Sequence, residues 1–79
     1  MTIQVRVFAA LRELAGTSRL EASGRTVGEV SDGLSAAQGE RFAQIASVST
    51  FVVNGERATR DTVVADGDEV AILPPVSGG

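Results

Sequence analysis

The amino-acid sequence predicts an α+β domain, a mixed sheet of about five strands over one main helix. Three observations carry this. Apolar, β-branched runs with a period of two occur near both ends and in the second half of the chain. One long stretch between them repeats its apolar residues at spacings of three and four. The breaks between elements fall at glycines, at Asn54-Gly55, at Asp66-Gly67 and at Pro74-Pro75.

Thr2–Ala9 reads as a strand, with Ile3, Val5 and Val7 facing the core and Gln4, Arg6 and Phe8 on the other side. Leu11–Ala15 is a short helical turn that Gly16 stops. Thr17–Ala22 is a second strand with Leu20 inward. Thr26-Val27-Gly28-Glu29 matches a capping box, in which a Thr hydroxyl and a Glu three residues on satisfy two unpaired amides. The helix is expected from Val27 to about Gln38, with Gly39 as its stop and Val27, Val30, Leu34 and Ala37 as its apolar stripe. Gly28 and Gly33 each weaken it by about 1 kcal/mol. Phe42 and Ile45 suggest a further short helical turn. Thr50–Asn54 is a strand, Asn54-Gly55 a type I′ turn, and Glu56–Ala58 the returning strand. Asp66-Gly67 turns into the last strand, Asp68–Leu73, with Val70 and Ile72 inward and Glu69, Ala71 and Leu73 outward. Pro74-Pro75 ends it, because neither residue donates to a ladder.

One helix cannot cover both faces of a sheet, so the sheet wraps over it. This order fits the β-grasp, the ubiquitin-like fold. A ferredoxin-like arrangement needs a second full helix, which the segment 40–47 could only barely supply. A chain of 79 residues is one domain, read as a folded unit over 1–76 and a flexible tail over 77–79.

Composition excludes much chemistry. There is no Cys, His, Lys, Trp or Tyr, and all seven basic residues are Arg. No disulfide, redox dithiol or common zinc site can form from these side chains, and no metal ligand set or bound cofactor is expected. The usual general bases and nucleophiles reduce to carboxylates and hydroxyls. A net charge of −3 and scattered arginines argue against nucleic acid. No apolar run approaches the ~18 residues a membrane span needs. Met1–Val5 lacks the basic start and apolar run of a signal peptide, so a cytoplasmic location is expected.

The terminal segment Pro74-Pro75-Val76-Ser77-Gly78-Gly79 is the most unusual feature. The prolines stiffen its exit from the sheet. Two glycines without side chains can thread a narrow channel and bring a backbone carboxylate to another protein's active site. A free carboxylate is a poor acyl donor and needs activation by ATP in a partner enzyme. The alternative is a frayed, solvated end.

The segments Phe8–Leu14, Thr26-Val27-Gly28-Glu29, Val53-Asn54-Gly55-Glu56 and Asp66–Gly79 together resemble the MoaD/ThiS family of ubiquitin-like sulfur carriers. The Pro-Pro step before Val-Ser-Gly-Gly is similar to the molybdopterin synthase branch. The resemblance implies a carrier that is not catalytic alone. An E1-like enzyme adenylates the carboxylate of Gly79 with ATP, and a sulfur donor replaces the adenylate to leave a thiocarboxylate. The tail, with Val76, Ser77 and Gly78 threading, then enters the synthase large subunit and gives sulfur to cyclic pyranopterin monophosphate. Two transfers build the dithiolene of the molybdenum cofactor. A heterotetramer with the large subunit is implied.

Phe8, Ala71 and Leu73, on the outward faces of neighbouring strands, are read with Pro74 and Pro75 as an apolar docking patch beside the tail. Phe8 could instead be covered by the turn at 11–15. The acidic run Asp61, Asp66, Asp68, Glu69 is read as turn chemistry, and Arg57 and Arg60 as a solvated edge. Glu29 is explained by its cap and Glu13 by an exposed turn. Ser77 has no His or Lys to activate it. Alternative functions are a sulfur carrier for cysteine or thiamine synthesis, a ubiquitin-like modifier of lysines, and a binding module with an inert tail.

Overall fold

The computed structural model describes residues 2–75. Alternation of apolar and polar residues forms strand β1 at Ile3–Val7, where Ile3, Val5 and Val7 are fully buried. Helix α1 follows at Ala9–Ala15, taking the last position expected for the strand and starting two residues before the expected Leu11, and Gly16 closes it in a left-handed conformation. Strand β2 occupies Arg19–Ala22, with Leu20 packed on the core.

Helix α2 spans Val27–Gln38 and is capped at its start by Thr26, whose Oγ1 accepts from the Glu29 amide at 3.2 Å. The return half of the expected capping box is shifted by one residue: the Glu29 carboxylate accepts from the Arg25 amide at 2.9 Å. The next amides are satisfied by the loop after β4, as Val27 donates to the Thr62 carbonyl and Gly28 to the Arg60 carbonyl, both at 2.9 Å. Gly28 belongs there because a Cβ would lie 3.1 Å from the Arg60 carbonyl oxygen. The buried stripe of α2 is Val27, Val30, Ser31 and Leu34. Ala37, expected on that stripe, is exposed. Near the end of α2 the next helix takes over the covering of the core.

That helix, α3 at Glu40–Ser47, is the main departure from one helix over a sheet. Two full turns form where a single turn was expected, with Phe42 and Ala46 buried and Ile45 packed against the core. The spacings of three and four place these three residues on one face.

Strand β3 (Thr50–Val53) and strand β4 (Glu56–Ala58) form a hairpin, and strand β5 (Glu69–Leu73) closes the sheet. Both turn residues of the hairpin have positive φ, 49° at Asn54 and 86° at Gly55, as a type I′ turn requires. The sheet order is β2-β1-β5-β3-β4. β1 and β5 pair in parallel and the other neighbours pair antiparallel. This is the mixed five-stranded sheet of the β-grasp. The helices pack on one face, over Ile3, Val5, Val7, Val70, Ile72 and Phe51, and leave the other face of the sheet open.

Candidate functional site

The site is organised by β5, the strand that leads to Pro74 and Pro75. Its inward residues, Val70 and Ile72, are fully buried. That burial holds the strand in the middle of the sheet, between β1 and β3. Its outward residues, Ala71 and Leu73, are half-buried on the open face. The register sets Arg6 of β1 and Val52 of β3 on either side of Ala71, and Thr50 beside Leu73. Arg19 of β2 pairs with Arg6, and Arg57 of β4 with Val52. One row across the open face therefore reads Arg19, Arg6, Ala71, Val52, Arg57. The adjacent row carries Glu21, Gln4 and Glu69.

Phe8 lies just past the end of β1, in extended conformation, as the N-cap of α1. Ala9 then takes φ of 50°, a left-handed conformation that costs a non-glycine residue roughly 1–2 kcal/mol. This turn sends the chain away from the sheet into α1 and leaves Phe8 half-buried at the end of the strand. The Arg6 guanidinium stands over the Phe8 ring, 5.7 Å from its centroid, within cation–π range. The Nε of Arg6 is buried and has no hydrogen-bond partner among the described residues.

The acidic residues near β5 have structural work. Asp68 accepts from the Ala65 amide at 2.8 Å and from Asn54 Nδ2 at 3.0 Å, while Asn54 Oδ1 accepts from the Glu69 amide. The Ala65 amide, aided by Asn54, holds the Asp68 carboxyl below the usual aspartate range. Asp66 accepts from the Thr2 amide at 2.7 Å. Turn chemistry thus accounts for Asp68, whereas the Asp66 side chain ties its turn to the start of the chain, 64 residues away. Arg60, read as solvated edge, pairs with Asp32 of α2 at 2.8 Å. That hydrogen bond lowers the Asp32 carboxyl and raises the Arg60 guanidinium. A shallow depression of about 320 Å³ lies by the hairpin, lined in part by Asn54, Arg57, Thr62 and Asp68. Asn54 and Asp68 already bind each other there.

Of the residues expected to matter, Ala71 and Leu73 share the open face, Phe8 stands at the end of β1, Pro74 is half-buried and Pro75 is exposed. Val76, Ser77, Gly78 and Gly79 lie outside the described residues, as does the expected boundary at residue 76. Sequence reasoning did not single out Val52 or Arg6. Periodicity gives each strand its two faces, but the neighbours on a face depend on strand order, which only the pairing of β5 with both β1 and β3 reveals.

The protein-family model that matches is described as the ThiS family, and the match covers residues 5–79. A molybdopterin synthase sulfur carrier subunit from Escherichia coli is 38% identical over 81 residues, covering 98% of this chain and 99% of the relative. Small archaeal modifier protein 1 from Haloferax volcanii is 38% identical, covering 94% of this chain and 97% of the relative. Among solved structures, small archaeal modifier protein 1 from Methanosarcina acetivorans superposes with a TM-score of 0.86 at 32% identity, covering 99% of this chain and 96% of that one.

Proposed function

This chain belongs to the ThiS family of ubiquitin-like sulfur carriers, and from that premise we propose that it is the sulfur carrier of a molybdopterin synthase. The observation that supports this most is the extent of the family match, which runs through β5 and the tail to residue 79. The molybdopterin branch is further supported by the Escherichia coli relative, matched over 99% of its length.

The chemistry belongs to the backbone carboxylate of Gly79. One of its oxygens attacks the α-phosphate of ATP in an E1-like enzyme, pyrophosphate leaves, and an acyl-adenylate forms. A persulfide donor attacks the acyl carbon through its outer sulfur and AMP leaves with its electron pair, giving an acyl disulfide; a thiol of the donor system then attacks the donor's sulfur, forming a disulfide there and leaving the thiocarboxylate on Gly79. In the large subunit the thiocarboxylate sulfur bonds to cyclic pyranopterin monophosphate and water cleaves the thioester so formed, leaving the sulfur on the pterin and the carboxylate on Gly79, twice for each dithiolene. Cys and Lys are not needed, since the attacking carboxylate belongs to the backbone and the carried sulfur comes from a partner. Val76, Ser77 and Gly78 thread the partner's channel, stiffened at the base by Pro74 and Pro75. Phe8, Ala71 and Leu73 form part of the docking face. The assembly is a heterotetramer with the large subunit, in the cytoplasm.

The test is complementation of a cell that lacks its own molybdopterin synthase sulfur carrier. The intact chain should restore molybdopterin, and a chain lacking Gly79 should not. Equal restoration by both would refute the tail chemistry. A second reading, a protein modifier that acylates lysines, is favoured by the 38% identity to small archaeal modifier protein 1. It predicts isopeptide-linked conjugates in cells that disappear on deletion of Gly79.

A further inference from the structure

The open face of the sheet carries a charge pattern that the fold itself does not need. Arg6 and Arg19 stand directly opposite each other on β1 and β2, and like charges in that position destabilise a sheet. Arg57 completes the row on β4. Three of the seven arginines of a chain with net charge −3 therefore share one row. Glu21 and Glu69 occupy the adjacent row, diagonal to Arg6, yet none of the three arginines forms an ion pair among the described residues. Their side chains also make no hydrogen bond there, and the Nε of Arg6 is buried without a partner. The Arg6 guanidinium stands 5.7 Å from the centroid of the Phe8 ring. Between the arginines run half-buried Ala71 and Val52, with Leu73 and Phe8 beyond them.

We propose that this face docks a partner protein whose surface presents an apolar ridge flanked by carboxylates, and that Arg6 is the specificity-determining residue, its outer nitrogens taking a partner carboxylate. Charge complementarity carries the choice of partner. A carboxylate matches the planar donor fork of Arg in a bidentate pair, and an apolar ridge covers the strip between the arginines. A polyanion such as nucleic acid would leave that strip uncovered and would meet a chain of negative net charge. Local rules broken without compensation inside a molecule commonly mark functional positions. The proposal rests on the sulfur-carrier reading in one respect: because the face borders the exit of β5, the partner is the protein that receives the tail.

The experiment is calorimetric titration of the full chain into the cognate large subunit of molybdopterin synthase. The variants are Arg6→Glu, Arg6→Gln and, as a control of equal charge change on the helical side, Arg41→Glu, at an exposed position of α3. Arg6→Glu should bind at least tenfold more weakly and Arg6→Gln severalfold more weakly, with a shallower dependence on salt. Arg41→Glu should stay within about twofold of the parent chain. Arg6→Gln removes the like-charge pair, so it serves should Arg6→Glu fail to fold. Unchanged binding by the Arg6 variants, or an equal loss in Arg41→Glu, would overturn the proposal. If the parent chain itself does not bind, the sulfur-carrier reading fails and the proposal fails with it.

Discussion

Gly28 and Gly33 sit five residues apart in one helix and do different things. Nothing lies within 4 Å of a Cβ built at Gly33, whereas one at Gly28 would press on the Arg60 carbonyl at 3.1 Å. Gly33→Ala should therefore raise stability by about 0.5–1 kcal/mol, the ordinary gain in helix propensity. Gly28→Ala gains the same propensity but forces the loop at 59–62 outward, and overpacking costs roughly 1–3 kcal/mol. A net loss of about 1 kcal/mol is expected. Denaturant midpoints of the two variants check this, and equal stabilisation of both would show that the loop yields freely. Both glycines were visible in the sequence as weaknesses of the helix. Which of them the fold requires was not visible, because the loop that meets Gly28 is 32 residues further along the chain.

The hairpin and β5 are joined by side chains as well as by ladder bonds. Asn54 and Asp68 bind each other; Asn54 also accepts from the Glu69 amide beside Asp68, and Asp68 from the Ala65 amide of its own turn. The folded-state pKa of Asp68 is depressed, so the unfolded chain binds its proton first. The stabilising contribution is complete above the unfolded value and is lost as pH falls through the folded one. Asp68→Ala should accordingly be less stable than the parent at pH 7, with the gap narrowing below about pH 4. Urea unfolding across pH 2.5–7 (a range chosen around the ~3.9 of free aspartate) measures it, and a constant gap would remove the charge from the account. At this scale the turn at Asn54-Gly55, the cap at Thr26 and the bounds of α2 were legible, since each depends on residues close in sequence. The second turn of α3 was not. Its short apolar pattern gains its stability from packing of Phe42 and Ala46 on a core assembled from distant strands.

At the scale of the whole fold, the described residues form five strands and three helices that place one strand, β5, in the centre of the sheet and let it leave at Pro74 beside an open face. The terminal Gly-Gly and its prolines could be read from the sequence alone, and the ThiS family match includes them. The face beside them could be read only in part. Ala71 and Leu73 followed from alternation, whereas Val52, Arg19 and Arg6 joined them through strand order. A chain without Cys, His or Lys is suited to carrying sulfur only if the backbone carboxylate is the carrier. The most direct test is the intact mass of the full chain after incubation with its E1-like enzyme, ATP and a sulfur donor. The account predicts a gain equal to the exchange of one oxygen for sulfur, localised by fragmentation to Gly79 and absent without ATP. An unchanged mass with an enzyme that adenylates its own carrier normally, or a sulfur atom localised elsewhere in the chain, would contradict it.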